Sequence, residues 1–162
     1  MNPVVTLQVL MLLGLANGAP VVAKRFLRNR CGWPLDAGLR FVNGRPLLGA
    51  SKTLRGVLVS ILATAAGAAV IGLDASLGAW LAGAAMAGDS LSSFVKRRLD
   101  LPSSSRATGL DQIPESLLPL LVVRDPLSLG VGDMIAIVAL FFIGEVLISR
   151  PLYRLKLRDR PY

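Results

Sequence analysis

An all-α integral membrane protein of about five transmembrane helices is the fold predicted by three features of the sequence. Of its 162 residues, 53% are hydrophobic and 17% charged, against roughly 45 to 50% and about 25% in soluble domains. The mean hydropathy is +0.60. The apolar residues gather into runs near the ~20 residues needed to cross ~30 Å of hydrocarbon. The polar stretches between them are too short for a second domain, so residues 1–162 read as one membrane-embedded unit.

The first helix is expected from Val4 to Ala23. Met1 to Gly18 contains no Lys or Arg, and the first cations, Lys24 and Arg25, follow the apolar run. A signal peptide has the reverse order, so an uncleaved span is expected. Helices two and three are expected over Leu54 to Leu73 and Leu77 to Phe94, with small residues at every fourth position (Ser60, Thr64, Ala68, Gly72; Ala79, Gly83, Ala87) for close packing. The fourth lies within Leu110 to Leu129 and is the weakest, since Pro114 and Pro119 interrupt it and Arg124 limits its apolar length. The fifth covers Met134 to Ile148. Between helices one and two, "GWPLDAG" and "NGRPLLGASKT" are dense in Gly and Pro and predict turns.

Charge supplies the orientation. Counting Lys and Arg over successive connections, borders included, gives eight, zero, four, one and, in the tail, five. Under the positive-inside rule this alternation predicts five crossings, an outside N-terminus and a cytoplasmic C-terminus. The net charge of +8 is accounted for by this flanking pattern and by anionic lipid heads, so no nucleic-acid partner is expected. Cys31 is the only cysteine and there is no histidine. Disulfide frameworks, thiolate or imidazole zinc sites and Ser-His-Asp triads are thereby excluded, leaving carboxylates, hydroxyls, Lys and Arg to carry any chemistry.

Those groups are concentrated in "AGDSLSSFVKRR". Asp89, Ser92, Ser93 and Lys96 follow the i, i+3, i+4, i+7 spacing and share one helical face. An ionised Asp in a span costs about 2.5 to 3.5 kcal/mol at the centre, so either the helix end already lies in water or Asp89 meets a partner or a metal. In "GLDQIPE", Asp111 and Glu115 again share a face; Asp111 reads as a helix cap or as a second acid for a hard cation such as Mg2+. Lys52, Thr53 and Arg55 in "SKTLRG" and Lys96, Arg97 and Arg98 serve either as positive-inside anchors or as phosphate ligands. "KT" is no Walker loop, because the GxxxxGK spacing is missing. In "LANGAP", Asn17 and Pro20 either line a cavity or mark a kink. The sequence assigns no role to Glu145, an acid within helix five.

With these residues identified, the chain resembles the CDP-archaeol synthase family, the small branch of the CTP-dependent phosphatidate cytidylyltransferases. The resemblance rests on "LANGAP", "WPLDAG", "NGRPLLGASKTLRG", "GDSLSSFVKRRL" and "GLDQIPE", in that order over about the first 115 residues. It implies a five-helix enzyme of the cytoplasmic membrane, active at its cytoplasmic face, that joins CTP to a lipid phosphate (archaeal-type ether lipid phosphate or phosphatidate), releasing pyrophosphate with Mg2+. Carried over, it points at Asn17, Pro20, Asp36, Gly44, Arg45, Gly49, Lys52, Thr53, Arg55, Gly56, Gly88, Asp89, Ser93, Lys96, Arg97, Arg98, Asp111 and Gln112. Two departures stand out: Asn43 where an Asp is expected before Gly-Arg, and Leu110 before Asp111 where the larger enzymes carry Lys-Asp, with no later Asp-Arg-x-Asp.

The expected roles follow from charge. Asp89 and Asp111 hold Mg2+ on the triphosphate, Lys52, Arg55 and Lys96 bind phosphate oxygens, and Arg97 or Arg98 meets the lipid headgroup; Asp89, Asp111 and Lys96 are the expected catalytic groups. Asn17, Asp36, Arg45, Thr53, Ser93 and Gln112 complete the expected substrate contacts. The expected partners are CTP, the lipid phosphate and membrane lipids, and a homo-oligomer is compatible with the sequence. The competing class, a small transporter or channel, requires polar residues spread through the membrane depth. Here all but Asn17 and Glu145 gather at one edge.

Overall fold

The computed structural model describes residues 2–27, 30, 32–102, 105, 107 and 109–154, the last seven as helix backbone. Cys31, Arg28, Arg106, Lys156, Arg158 and Arg160 lie outside the described residues. Five helices follow one another: α1 (Pro3–Leu27), α2 (Leu54–Val70), α3 (Ala75–Arg98), α4 (Gln112–Val123) and α5 (Val131–Arg154). Among the described residues there is no strand, only two isolated bridges in the connection before α2. The five expected helices are therefore present. α1 and α3 run beyond the expected ends, α1 through Pro20 to Leu27 and α3 through the cations to Arg98.

α1 is long and apolar enough to cross a membrane. α2 and α4, with 17 and 12 residues, rise only about 25 and about 18 Å at 1.5 Å per residue. α4 is thus short of a full crossing as a regular helix, although neither of its prolines ends it. Pro114 occupies the first turn, where its missing N–H costs nothing, but Pro119 sits inside.

Connections fix antiparallel neighbours. α2 ends at Ile71; Gly72 takes φ +79°, and Leu73 N donates to Ala68 O at 2.9 Å. This left-handed residue suits glycine and closes a Schellman motif. Asp74 then caps α3, accepting from Ser76 N at 2.7 Å. α3 is the hub, touching α1, α2 and α4, while α5 packs on α4 and α1.

The outside of the bundle is apolar and part of the inside is polar, the reverse of a soluble protein. Leu54, Leu58 and Leu62 on α2, Ile113, Leu117 and Leu121 on α4, and Ile143 and Leu147 on α5 are exposed, whereas Thr6, Ser60, Thr64, Ser92, Ser93 and Ser116 are buried. The apolar core is built from Val9, Leu12, Leu13 and Ala16 of α1, Leu81, Ala82 and Ala85 of α3, Leu120 and Val123 of α4, and Ile137 and Phe141 of α5. On α2, Ser60, Thr64 and Ala68 of the expected stripe are buried, whereas Gly72 lies beyond the helix and is exposed. On α3, however, the buried small residues are Gly78, Ala82, Ala85 and Gly88, whereas Ala87 is exposed. The expected stripe through Ala79, Gly83 and Ala87 is off by one position.

Gly88 marks the closest helix approach at the α4 end. A Cβ there would lie 2.2 Å from Pro114 O and 2.9 Å from Glu115 N. Neither backbone atom can yield, so α3 and α4 must separate for any larger residue. Gly88→Ala is expected to destabilise by about 1 to 3 kcal/mol, the usual cost of overpacking. Gly83→Ala, with nothing within 4 Å of its added carbon, is expected to be neutral or stabilising by up to ~1 kcal/mol. Thermal unfolding of the two variants in detergent checks the contrast.

Candidate active site

Ionisable side chains converge where α3 ends, α4 begins and the chain enters α2. Asp89 forms an ion pair with Lys52, the residue before the Thr53 cap of α2. The two side chains are 18% (Lys52) and 22% (Asp89) exposed, too enclosed for the pair to be a solvent-screened surface contact. Because Gly88 brings α4 close, the carboxyl group of Glu115 comes within hydrogen-bond reach of Asp89. Glu145 of α5 acts electrostatically on Glu115 from the third side. Ser92 hydroxyl donates to Asp89 O at 2.9 Å within the helix.

About two turns beyond Asp89 on α3, Lys96 is 6% exposed and forms an ion pair with Asp111 at 2.6 Å while donating to Ser105 O at 3.0 Å. Asp111 occupies the N-cap position of α4 but makes no capping bond; its Oδ2 accepts from Ala107 N at 3.0 Å instead. Gln112 accepts from Gly109 N at 2.8 Å. Asp111 and Gln112 therefore fold the α3–α4 connection over Lys96. Lys96 also bears electrostatically on Asp89, so the expected acids, Asp89 and Asp111, stand at the same end of the bundle, each with its own lysine.

The other expected site residues are committed to building this end. Thr53 accepts from Gly56 N at 3.2 Å as the α2 cap. Asp36 accepts from Gly38 N at 3.0 Å, Leu48 N at 2.9 Å and Gly49 N at 3.1 Å, tying the loop between α1 and α2 across its base. Arg97 donates to Leu101 O and Pro102 O, Arg98 to Asn43 and Pro46, and Arg45 to the Arg98 carbonyl, with an ion pair to Asp100. Arg55 donates to Arg30 O. Ser93 is buried on the Lys96 face. Asn17 donates back to Leu13 O at 3.1 Å, and the Ala16 carbonyl, which Pro20 cannot serve, accepts from Ser60 at 2.7 Å. Glu115 was visible as a partner on the Asp111 face, but its contact with Asp89 was not, nor was the reach of Glu145. Both depend on how three helices are placed.

The donor set suits a hard cation. Among the described residues no three Asp, Glu, Cys or His side chains form a metal-holding group. The paired carboxyl groups of Asp89 and Glu115 nevertheless supply the one or two oxygen ligands that Mg2+ takes from protein when phosphate and water complete its shell.

An apolar helical bundle with acids and ammonium groups enclosed at one end is the arrangement of a helical membrane protein that handles a charged group beside lipid. The comparisons agree. A family model described as CarS-like CDP-archaeol synthase matches residues 68–162. The CDP-archaeol synthase of Sulfurisphaera tokodaii is 35% identical over 143 residues, 85% of each chain. That of Pyrobaculum calidifontis is 37% identical over 155 residues, 91% of this chain and 90% of its own. A solved intramembrane enzyme for archaeal membrane lipids biosynthesis superposes with a TM-score of 0.75 at 29% identity, covering 88% of this chain and 90% of that one. The chain belongs to the CDP-archaeol synthase family.

Asp36 sets a pH dependence outside the helices. Its burial alone would raise the carboxyl pKa, but the amides of Leu48, Gly49 and Gly38 outweigh it and hold the pKa below its usual 3.8. A lowered folded pKa gives a contribution that is complete above 3.8 and is lost as pH falls through the folded value. Hydrogen exchange at Leu48 and Gly49, corrected for intrinsic rate, is expected to stay slow down to about pH 4 and to accelerate below it. Asp36→Asn should show the fast behaviour at every pH.

Proposed function

We propose that this chain transfers a cytidylyl group from CTP to an archaeal-type ether lipid phosphate, with release of pyrophosphate. The observation that carries the reading is the enclosed Lys52, Asp89, Lys96 and Asp111 array at one end of an otherwise apolar bundle, in a chain of this family. The chemistry needs neither His nor Cys. A lipid phosphate oxygen attacks the α-phosphorus of CTP in line, the bond to the β-phosphate oxygen breaks, and pyrophosphate leaves with that electron pair. Lys52 and Lys96, at rest on Asp89 and Asp111, exchange those carboxylates for phosphate oxygens and neutralise the charge on the leaving group. Asp89 and Glu115 are the groups that would hold Mg2+, whose charge would screen the triphosphate.

The proposed placement is multi-pass in the cytoplasmic membrane, with the outside N-terminus and cytoplasmic C-terminus that the Lys and Arg distribution favours. The array then opens at the inner face, where one substrate is dissolved in lipid and the other in water. The transporter alternative calls for polar residues spread through the membrane depth; among the described residues the buried ion pairs stand at one end, and the buried polar groups in the other half are confined to a few hydroxyls such as Thr6 and Thr64.

Purified protein incubated with labelled CTP, Mg2+ and either an ether lipid phosphate or phosphatidate is expected to yield labelled CDP-lipid and pyrophosphate, with preference for the ether acceptor. No labelled lipid with any acceptor would refute the reading. Lys52→Ala is expected to lower kcat/KM by about a hundredfold or more, the scale for removing one donor from a preorganised site. Asp89→Asn should abolish turnover while the helical circular dichroism persists.

A further inference from the structure

Arg98 lies outside the array just described, yet it carries the most elaborate set of contacts in the loop between α1 and α2. Residues 39–47 of that loop form a tight hairpin: Leu47 N donates to Leu39 O at 2.9 Å, Phe41 N to Arg45 O at 2.8 Å and Gly44 N to Phe41 O at 2.8 Å. At the hairpin tip, the Arg98 guanidinium donates to Asn43 Oδ1 at 2.9 Å and to Pro46 O at 2.7 Å. Its carbon lies 4.6 Å from the centre of the Phe41 ring and 5.0 Å from that of Phe94. The two rings meet edge to face at 5.7 Å. Arg45 returns the contact by donating to the Arg98 carbonyl at 3.0 Å. Both terminal nitrogens are thus engaged by the loop, and the cation rests against one ring from the loop and one from α3 itself.

The same loop delivers Lys52. From the hairpin, the chain passes the Asp36 carboxylate at Leu48 and Gly49. It then pairs Lys52 O with Leu35 N at 2.8 Å and places the Lys52 ammonium on Asp89. The loop is therefore fastened to α3 twice, at Arg98 by its tip and at Asp89 by its root. We infer that Arg98 is a positioning residue: seated against the Phe41 and Phe94 pair and bonded to the hairpin tip, it latches the loop onto α3 and so sets Lys52 against Asp89, without itself touching the phosphates. The inference rests on the cytidylyl-transfer reading for its effect on turnover, and on the contacts alone for its effect on the loop.

A planar, forked cation explains the choice of residue. Lysine could supply the charge but neither the two directed bonds nor the stacking faces. The phenylalanine contributes no charge, which separates a latch from a phosphate ligand in experiment. In the full-length protein, Arg98→Ala, Arg98→Lys and Phe41→Ala are each expected to lower kcat by about tenfold, the scale of one charge-assisted hydrogen bond, with KM for CTP and lipid changed little. The double variant Arg98→Ala with Phe41→Ala is expected to fall no further than either single change, because both release the same contact. A direct phosphate ligand would instead give an increase in KM confined to the Arg98 variants, partial rescue by lysine, and independent, multiplying effects in the double variant. Any of these overturns the latch.

Limited trypsin digestion supplies a readout independent of turnover. Cleavage after Arg40, within the hairpin, is expected to accelerate at least severalfold in all three single variants while the circular dichroism of the helices is unchanged. Unaltered cleavage in Arg98→Ala also overturns the inference. Absence of CDP-lipid formation in the unmodified protein would remove the functional reading instead, and the digestion would still decide the latch.

Discussion

The structure depends on how closely α3 can approach α4 at Gly88. With no side chain at that position, the Pro114 carbonyl and Glu115 amide come to distances that no other residue would tolerate. The next residue on α3 is Asp89, which is therefore carried against Glu115. Two carboxyl groups in contact inside a bundle repel, and removing either from water is costly. Their coexistence needs cations nearby, and the chain supplies Lys52 from the preceding loop and Lys96 from the same helix. The glycine thus causes the acidic contact, and the acidic contact in turn requires the two lysines.

A similar logic of compensation runs through the apolar part of the bundle. Pro20 cannot donate to the Ala16 carbonyl, and an unsatisfied carbonyl in hydrocarbon costs several kcal/mol. Ser60 of α2 occupies that acceptor, and the ring of Pro20 lies near where a side chain at Gly56 would project. The proline, which reads as a helix breaker, is tolerated inside the 25 residues of α1 because the neighbouring helix offers a hydroxyl at the right height. Helix α1 is thereby joined to α2 by a directed bond where dispersion alone would leave it free to slide.

Much of this was legible in the sequence, for physical reasons. Five helices follow from runs of apolar residues, and the polar face of Asp89, Ser92, Ser93 and Lys96 follows from the geometry of one helix, which depends on nothing else. Partner choice was not legible. Lys52 with Asp89, Lys96 with Asp111, and Glu115 against Asp89 are set by the placement of one helix on another, and a shift of one residue would exchange them. The stripe of α3 fails in that way: Ala79, Gly83 and Ala87 have the right spacing, but Gly78 and Gly88 are where α2 and α4 approach. The cations of "KRR" illustrate a second limit. In sequence only Lys96 is set apart, by its place on the polar face, and Arg97 and Arg98 are interchangeable, whereas in the fold Lys96 faces an acid, Arg97 closes the loop after α3 and Arg98 grips the loop before α2. Identical charge acquires different roles from the direction in which each side chain leaves the helix.

The resting ion pairs bear on how a highly charged substrate could bind at the edge of a bilayer. A bare ammonium group enclosed among apolar helices tends to lose its proton, and a bare carboxylate tends to gain one. Holding Lys52 on Asp89 and Lys96 on Asp111 gives each enclosed cation an acid beside it before any substrate arrives. In the proposed reaction, a polyphosphate entering such a site finds cations already largely withdrawn from water. It displaces carboxylates that are then available to a divalent cation arriving with it. Exchange of partners conserves the number of compensated charges at each stage, so neither substrate binding nor product release has to create an isolated ion in a medium of low dielectric. The array therefore does not have to be assembled afresh by each substrate. It requires only that the loop carrying Lys52 and the connection carrying Asp111 remain in register with α3, and the contacts of Asp36, Arg97 and Gln112 bear on that register.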